Sequence, residues 1–170
     1  NDQHFKVILV VQESFGKLIH SFSETLEPYL GEIIPRLLIN LNDKREKVSK
    51  SANLLMSSLI QRYGGDKLLK YFMNVIDLKE EPVVIAAALD VLSHHLIKTT
   101  DEYFSEKSNL KNIIKRIGSV ISTYHKNEKF AENETIIMPA IASLLALRDI
   151  NSKRTIKAIM SLRPDQLEII

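Results

Sequence analysis

The chain has 170 residues, 45% hydrophobic and 26% charged, with 23 basic residues against 21 acidic for a net charge of +2. That is one ordered domain or one piece of a repeat array, and the charge is too balanced to announce a nucleic-acid binder. Zero Cys excludes a disulfide framework, a thiolate zinc site and a cysteine nucleophile, and five Gly with five Pro leave too few turns for a β-sandwich.

Helical periodicity then runs the length of the chain. Ile8, Val11, Phe15, Leu18, Ile19 and Phe22 step by three and four, predicting one apolar stripe from Phe5 to Phe22. Leu30, Ile33, Ile34, Leu37, Leu38 and Leu41 predict a second helix, bent where Pro35 displaces the carbonyl of Gly31. Val48, Ala52, Leu55, Met56, Leu59 and Ile60 predict a third, ended by Gly64-Gly65. Leu68, Leu69, Phe72, Met73 and Ile76 follow, and then Ile85, Leu89, Leu92 and Leu96 behind Pro82 in a first turn. Leu110, Ile113, Ile114, Ile117, Val120 and Ile121 form the next stripe, with Ser108 as its expected N-cap. Ile137, Ile141, Leu144 and Leu145 form another, and short helices occupy 150–170. No stretch alternates with period two, so the fold class is all-α.

The breaks are short and polar: 42–46, 77–82 and 124–129. Asp2, Asp43, Asp77 and Asn127 recur at intervals of about 35 to 50 residues, the period of HEAT and armadillo helix pairs. The unit at 26–63 carries the HEAT register, with an apolar first helix, Asp43 in the turn, then Val48 and Ala52 packing the second helix. The expected architecture is a HEAT-repeat α-solenoid of stacked antiparallel helix pairs forming a single domain over 1–170. Its pairs lie near 1–22, 26–63, 65–98 and 108–147, with capping helices over 150–170. The array is expected to be incomplete at its N-terminus, residues 1–6 being the turn of a pair whose first helix is missing. Such pairs share a continuous core and line up their turns along one edge.

Few residues outside this pattern suggest chemistry. The basic group Lys44, Arg45, Lys47 and Lys50 sits in a turn and is interleaved with Asp43 and Glu46, so it reads either as a contact patch or as a solvated turn. Lys107, Lys111, Lys115 and Arg116 read as a solvated helix face. His94 and His95 are adjacent, point about 100° apart on a helix and cannot share a metal, so they read as partly buried packing residues. Tyr63-Gly64-Gly65-Asp66-Lys67 lacks the spacing of a phosphate loop and reads as a helix end. Phe5 and Phe130 head their helices beside turns, either to staple them to the core or to meet a partner. No nucleophile–base pair, metal set or glycine cradle is present, so neither an enzyme nor a cofactor is expected. The longest apolar run, Val83 to Leu89, falls far short of the ~20 residues of a membrane span, and Asn1-Asp2-Gln3-His4 opens no signal peptide.

From Phe5 to Leu96, and again over Ala142 to Ile170, these stripes and turns resemble a TOG domain of the CLASP family of microtubule-associated proteins, proteins that promote rescue and suppress catastrophe. The segment is most similar to one of the later TOG domains. The resemblance implies a tubulin- or microtubule-binding module in the cytoplasm and on the spindle, with plus-end or kinetochore proteins as further partners and neither nucleic acid nor membrane. It also implies that binding runs along the turn edge, which on this chain offers His4, Phe5, Lys6, Lys44, Arg45, Lys47, Lys79, Lys126 and Lys129. The alternative is a TOG-fold interaction module that does not bind tubulin and docks another protein or part of its own chain. Its signs are the missing Trp, expected in the first turn of strong tubulin binders, and the acidic break from Asp77 to Pro82. A HEAT transport adaptor, reading its partner with the second-helix face, is the third possibility, and Asn53 alone speaks for it.

Overall fold

A computed structural model describes residues 3–77, 81–97, 106–125 and 133–162. Among these there is no strand. The helices are α1 (Gln3–Ser21), the single turn α2 (Ser23–Leu26), α3 (Leu30–Leu41), α4 (Glu46–Tyr63), α5 (Gly65–Ile76), α6 (Pro82–Val91), α7 (Lys107–His125), α8 (Asn133–Ile150) and α9 (Ser152–Ile159). A 3₁₀ turn, Glu27–Tyr29, leads into α3, and a π-turn, Leu92–Leu96, prolongs α6.

Local chemistry sets the ends. Asp43 accepts the backbone N–H of Arg45 at 2.8 Å and stops the chain between α3 and α4. Gly64 closes α4 at φ 78, ψ 158, a conformation essentially restricted to glycine, and its N–H bonds the Ile60 carbonyl at 3.0 Å. Pro82 occupies the first turn of α6, where its missing N–H costs nothing. Asn151 caps α9 by accepting the Arg154 N–H at 3.3 Å.

Three consecutive pairs pack together: α3 with α4, α5 with α6, and α7 with α8. The first helices of the pairs are neighbours, α3 beside α5 and α5 beside α7. Side chains tie them: the Tyr71 hydroxyl donates to the Glu27 carbonyl at 3.1 Å, and Arg116 of α7 donates to the Met73 carbonyl at 3.2 Å and to Asp77 at 2.8 Å. In addition α1 packs along α4 and α6 along α8. Both couples are parallel. Arg45 lies over Phe5 at one end of the first, and the Tyr63 hydroxyl donates to the Ser23 carbonyl at 2.6 Å at the other. In the second, the buried Ser143 hydroxyl on α8 donates to the Leu89 carbonyl on α6 at 3.1 Å. The helix α9 closes the far end against α7 and α8.

One apolar core runs through all the pairs. Leu30, Ile34, Leu38, Leu59, Leu68, Phe72, Ile76, Ile85 and Leu89 are wholly removed from solvent or nearly so. Each such side chain is worth roughly 1.5–3 kcal/mol of burial, before the entropy of ordering it is subtracted. Two stripes differ from the sequence expectation. On α1, Ile19 is buried and Phe5, Ile8 and Phe15 are half-buried, whereas Val11, Leu18 and Phe22 face solvent. On α8 the buried positions are Ile136, Ala140, Ser143, Leu144 and Leu147, and Leu145 is exposed. That helix is apolar nearly all round, so its neighbours fix which side turns inward. Ser108 is not the cap of α7, whose first turn already includes Lys107.

Candidate functional site

The turn between α3 and α4 is built around Asp43. Its carboxylate accepts Arg45 three times, from the backbone N–H and Nε at 2.8 Å and from Nη2 at 2.5 Å. These bonds, the side-chain ones first, hold the Asp43 pKa at about 2, below its ordinary 3.8. The same guanidinium lies 5.9 Å from the centre of the Phe5 ring, a cation–π contact that joins the start of α1 to this turn. Phe5 is half-buried, with exposed His4 and Lys6 on either side of it.

The structure therefore brings Phe5 and Arg45 together, with His4 and Lys6 next to the one and Lys44 and Lys47 near the other in sequence. Lys44 and Lys47 are exposed and form no ion pair among the described residues. Arg45 is committed to Asp43, and Lys50 pairs with Glu46 at 2.6 Å, so half of the basic group is neutralised locally. Lys79, Lys126, Lys129 and Phe130 lie outside the described residues. Arg116 departs from the solvated face assigned by its spacing: it is half-buried and bridges Asp77 and the Met73 carbonyl. His94 and His95 are exposed and not partly buried as expected, His94 lying one turn after exposed Asp90 on the side away from the core. His94 Nδ1 lies 3.2 Å from an Asp90 carboxylate oxygen. No group of metal-binding side chains occurs among the described residues.

A second feature was not legible in the sequence. The helices α4 and α6 do not pack closely and leave a cleft of about 500 Å³. Met56, Ile60, Ala87 and Val91 supply its apolar surface, and Asn42, Asn53, Asp90, His95 and Thr135 its polar groups. It reaches the end of α3 at Asn42 and the first turn of α6 at Val83. Volume and mixed lining suit a partner's side chains or a small polar molecule. Asn53 alone drew notice from sequence, since the other groups come from three different helices.

The chain matches none of the protein-family models searched, and no match was found among curated proteins.

Proposed function

We propose that the chain is a TOG-like domain, a HEAT-repeat α-solenoid of the CLASP type, and that it engages tubulin or the microtubule lattice through its turn edge. The observation that carries this reading is Arg45 over Phe5, which sets the start of α1 beside the turn between α3 and α4 as stacked repeat turns require. Parallel second helices in the two couples α1–α4 and α6–α8 support it further. Exposed His4, Lys6, Lys44 and Lys47 give that edge cations suited to an acidic surface, which they would steer and orient. Cytoplasmic microtubules and the spindle are the setting in which such a domain works, with plus-end or kinetochore proteins as further partners.

The test reverses Lys6, Lys44 and Lys47 to Glu together, leaving Arg45 in place because it holds the turn. Co-sedimentation with microtubules at low salt should fall at least several-fold, with helicity unchanged. Absence of binding by the wild-type chain at low salt would sink the direct reading.

The α4–α6 cleft favours a second reading, an interaction module that docks another protein or part of its own chain without binding tubulin. Ala86 lines the cleft, so Ala86→Trp would fill it. Partner capture that survives reversal of the lysines but is lost in Ala86→Trp would assign the function to the cleft.

A further inference from the structure

The cleft between α4 and α6 separates two close couples of helices, α1 with α4 and α6 with α8. Its floor is apolar: Met56, Ala87 and Val91 line it and are 3%, 6% and 5% exposed. Its rim is polar and exposed, with Asn53 and Ser57 on α4 and Asp90 on α6. Asp90 is the only carboxylate in the described lining, which holds neither Lys nor Arg. One Asp90 carboxylate oxygen lies 3.2 Å from His94 Nδ1, and the other has no partner among the described residues. Asn53 donates its amide to the Ser49 carbonyl at 2.9 Å, and its side-chain oxygen accepts from no described residue.

We infer that this cleft holds an extended segment of a partner protein by one Lys or Arg side chain, an assignment that rests on reading the chain as an interaction module and is independent of the turn edge. Charge selects the side chain. An exposed carboxylate at the rim of an apolar floor, in a lining without Lys or Arg, suits a cationic head on an aliphatic stem. The head pairs with Asp90, and Met56, Ala87 and Val91 cover the stem. Shape selects the backbone. The lining positions of α6 run from Val83 to Val91, about 12 Å of helix, a length that matches roughly three or four residues of extended chain. A docked helix satisfies its own main chain and needs an apolar groove alone. An extended segment brings N–H and C=O groups that must be met, and Asn53 and Ser57 offer an amide oxygen and a hydroxyl for them. The small side chains of Ala86 and Ala87 let that backbone come close to the floor.

A library of random short peptides displayed on phage and selected on the 170-residue chain tests this, with the affinity of each synthesised peptide read by fluorescence anisotropy at low salt. Selected peptides should carry a Lys or Arg among small and apolar residues. Asp90→Asn should weaken them about fivefold, the upper end for a partly exposed ion pair. Asp90→Lys should reverse the preference, toward the same peptide with Glu in place of its basic residue. Ala86→Trp, which fills the cleft, should abolish binding with helicity unchanged, and so should Ser57→Trp, which blocks it from an exposed position that packing does not constrain. Peptides that both tryptophans exclude, but that carry no basic residue or ignore both changes at Asp90, overturn the inference and leave the interaction module standing. Failure to select any peptide, or peptides indifferent to both tryptophans, overturns it as well. The interaction module then falls only if partner capture also survives Ala86→Trp.

Discussion

Replacing Asp43 by Asn isolates the interaction that organises the turn edge. The carboxylate is acceptor-only and takes three Arg45 donors; an amide can keep two on its oxygen, but it turns an NH₂ toward Nη2. The folded pKa of about 2 lies below the ordinary 3.8, so the group stabilises the fold above about pH 4 and loses that contribution as pH falls from about 4 to about 2. At about 1.4 kcal/mol per pH unit the interval corresponds to at most about 2.5 kcal/mol. The Arg45 side chain is 48% exposed, and solvent screening reduces this to about 1 kcal/mol. For a chain of this length that is about 2–4 °C in melting temperature. Urea denaturation followed by far-UV circular dichroism, run on both proteins at a series of pH values, reads the difference. The gap should be about 1 kcal/mol at neutral pH and should close toward about pH 2. No gap at neutral pH, or one that stays constant into acid, would refute the assignment.

Three other substitutions follow from the packing. Gln12 is buried with both side-chain polar atoms unpartnered among the described residues, so Gln12→Met, of similar volume, should raise stability by about 1 kcal/mol or more in urea titration. A loss of that size would mean that Gln12 holds a partner. Tyr63→Phe removes the 2.6 Å bond to the Ser23 carbonyl, which keeps the Glu27 N–H, so the cost should stay near 1 kcal/mol. Glycine changes should diverge in sign. At Gly64 a Cβ meets nothing within 4 Å but the backbone at φ 78 and ψ 158 resists it, so Gly64→Ala should lose about 1–3 kcal/mol. At Gly16 a Cβ would sit 3.9 Å from Leu55 Cδ1 in a regular helix, so Gly16→Ala should gain about 0.5–1 kcal/mol.

What sequence revealed and what it hid divide along a physical line. Residues whose burial follows from local period were legible: Ile85, Leu89, Leu92 and Leu96 all point inward, and Gly64 and Pro82 mark helix ends as their backbone chemistry dictates. Where a helix is apolar over more than one interface, periodicity cannot say which half is covered, and Val11, Leu18 and Phe22 were placed inside for that reason. His94 and His95 were placed partly inside although His94 follows exposed Asp90 by one turn, a spacing that already pointed to the solvent side. Arg116 looked like surface charge because its partners, Asp77 and the Met73 carbonyl, lie some forty residues back. The cleft needs α4, α6 and α8 side by side, and no local pattern announces that.

The cations of the chain are therefore unequal, and a comparison of two changes brings this out. Arg116 spends its charge on Asp77 and a backbone carbonyl, so Arg116→Met should destabilise the fold by about 1–2 kcal/mol and leave the proposed tubulin binding unchanged. Lys6 and Lys47 have no such internal duty. Each is a sequence neighbour of the contact between Phe5 and Arg45, which spans 5.9 Å. Reversing either lysine should weaken microtubule co-sedimentation, and reversing both should weaken it further and flatten its salt dependence, with thermal stability unchanged. Acidic surfaces would then be met first by the end of the edge nearest α1. If Arg116→Met weakens binding as much as the lysine reversals do, the edge is not the contact surface, and the affinity tracks the integrity of the fold.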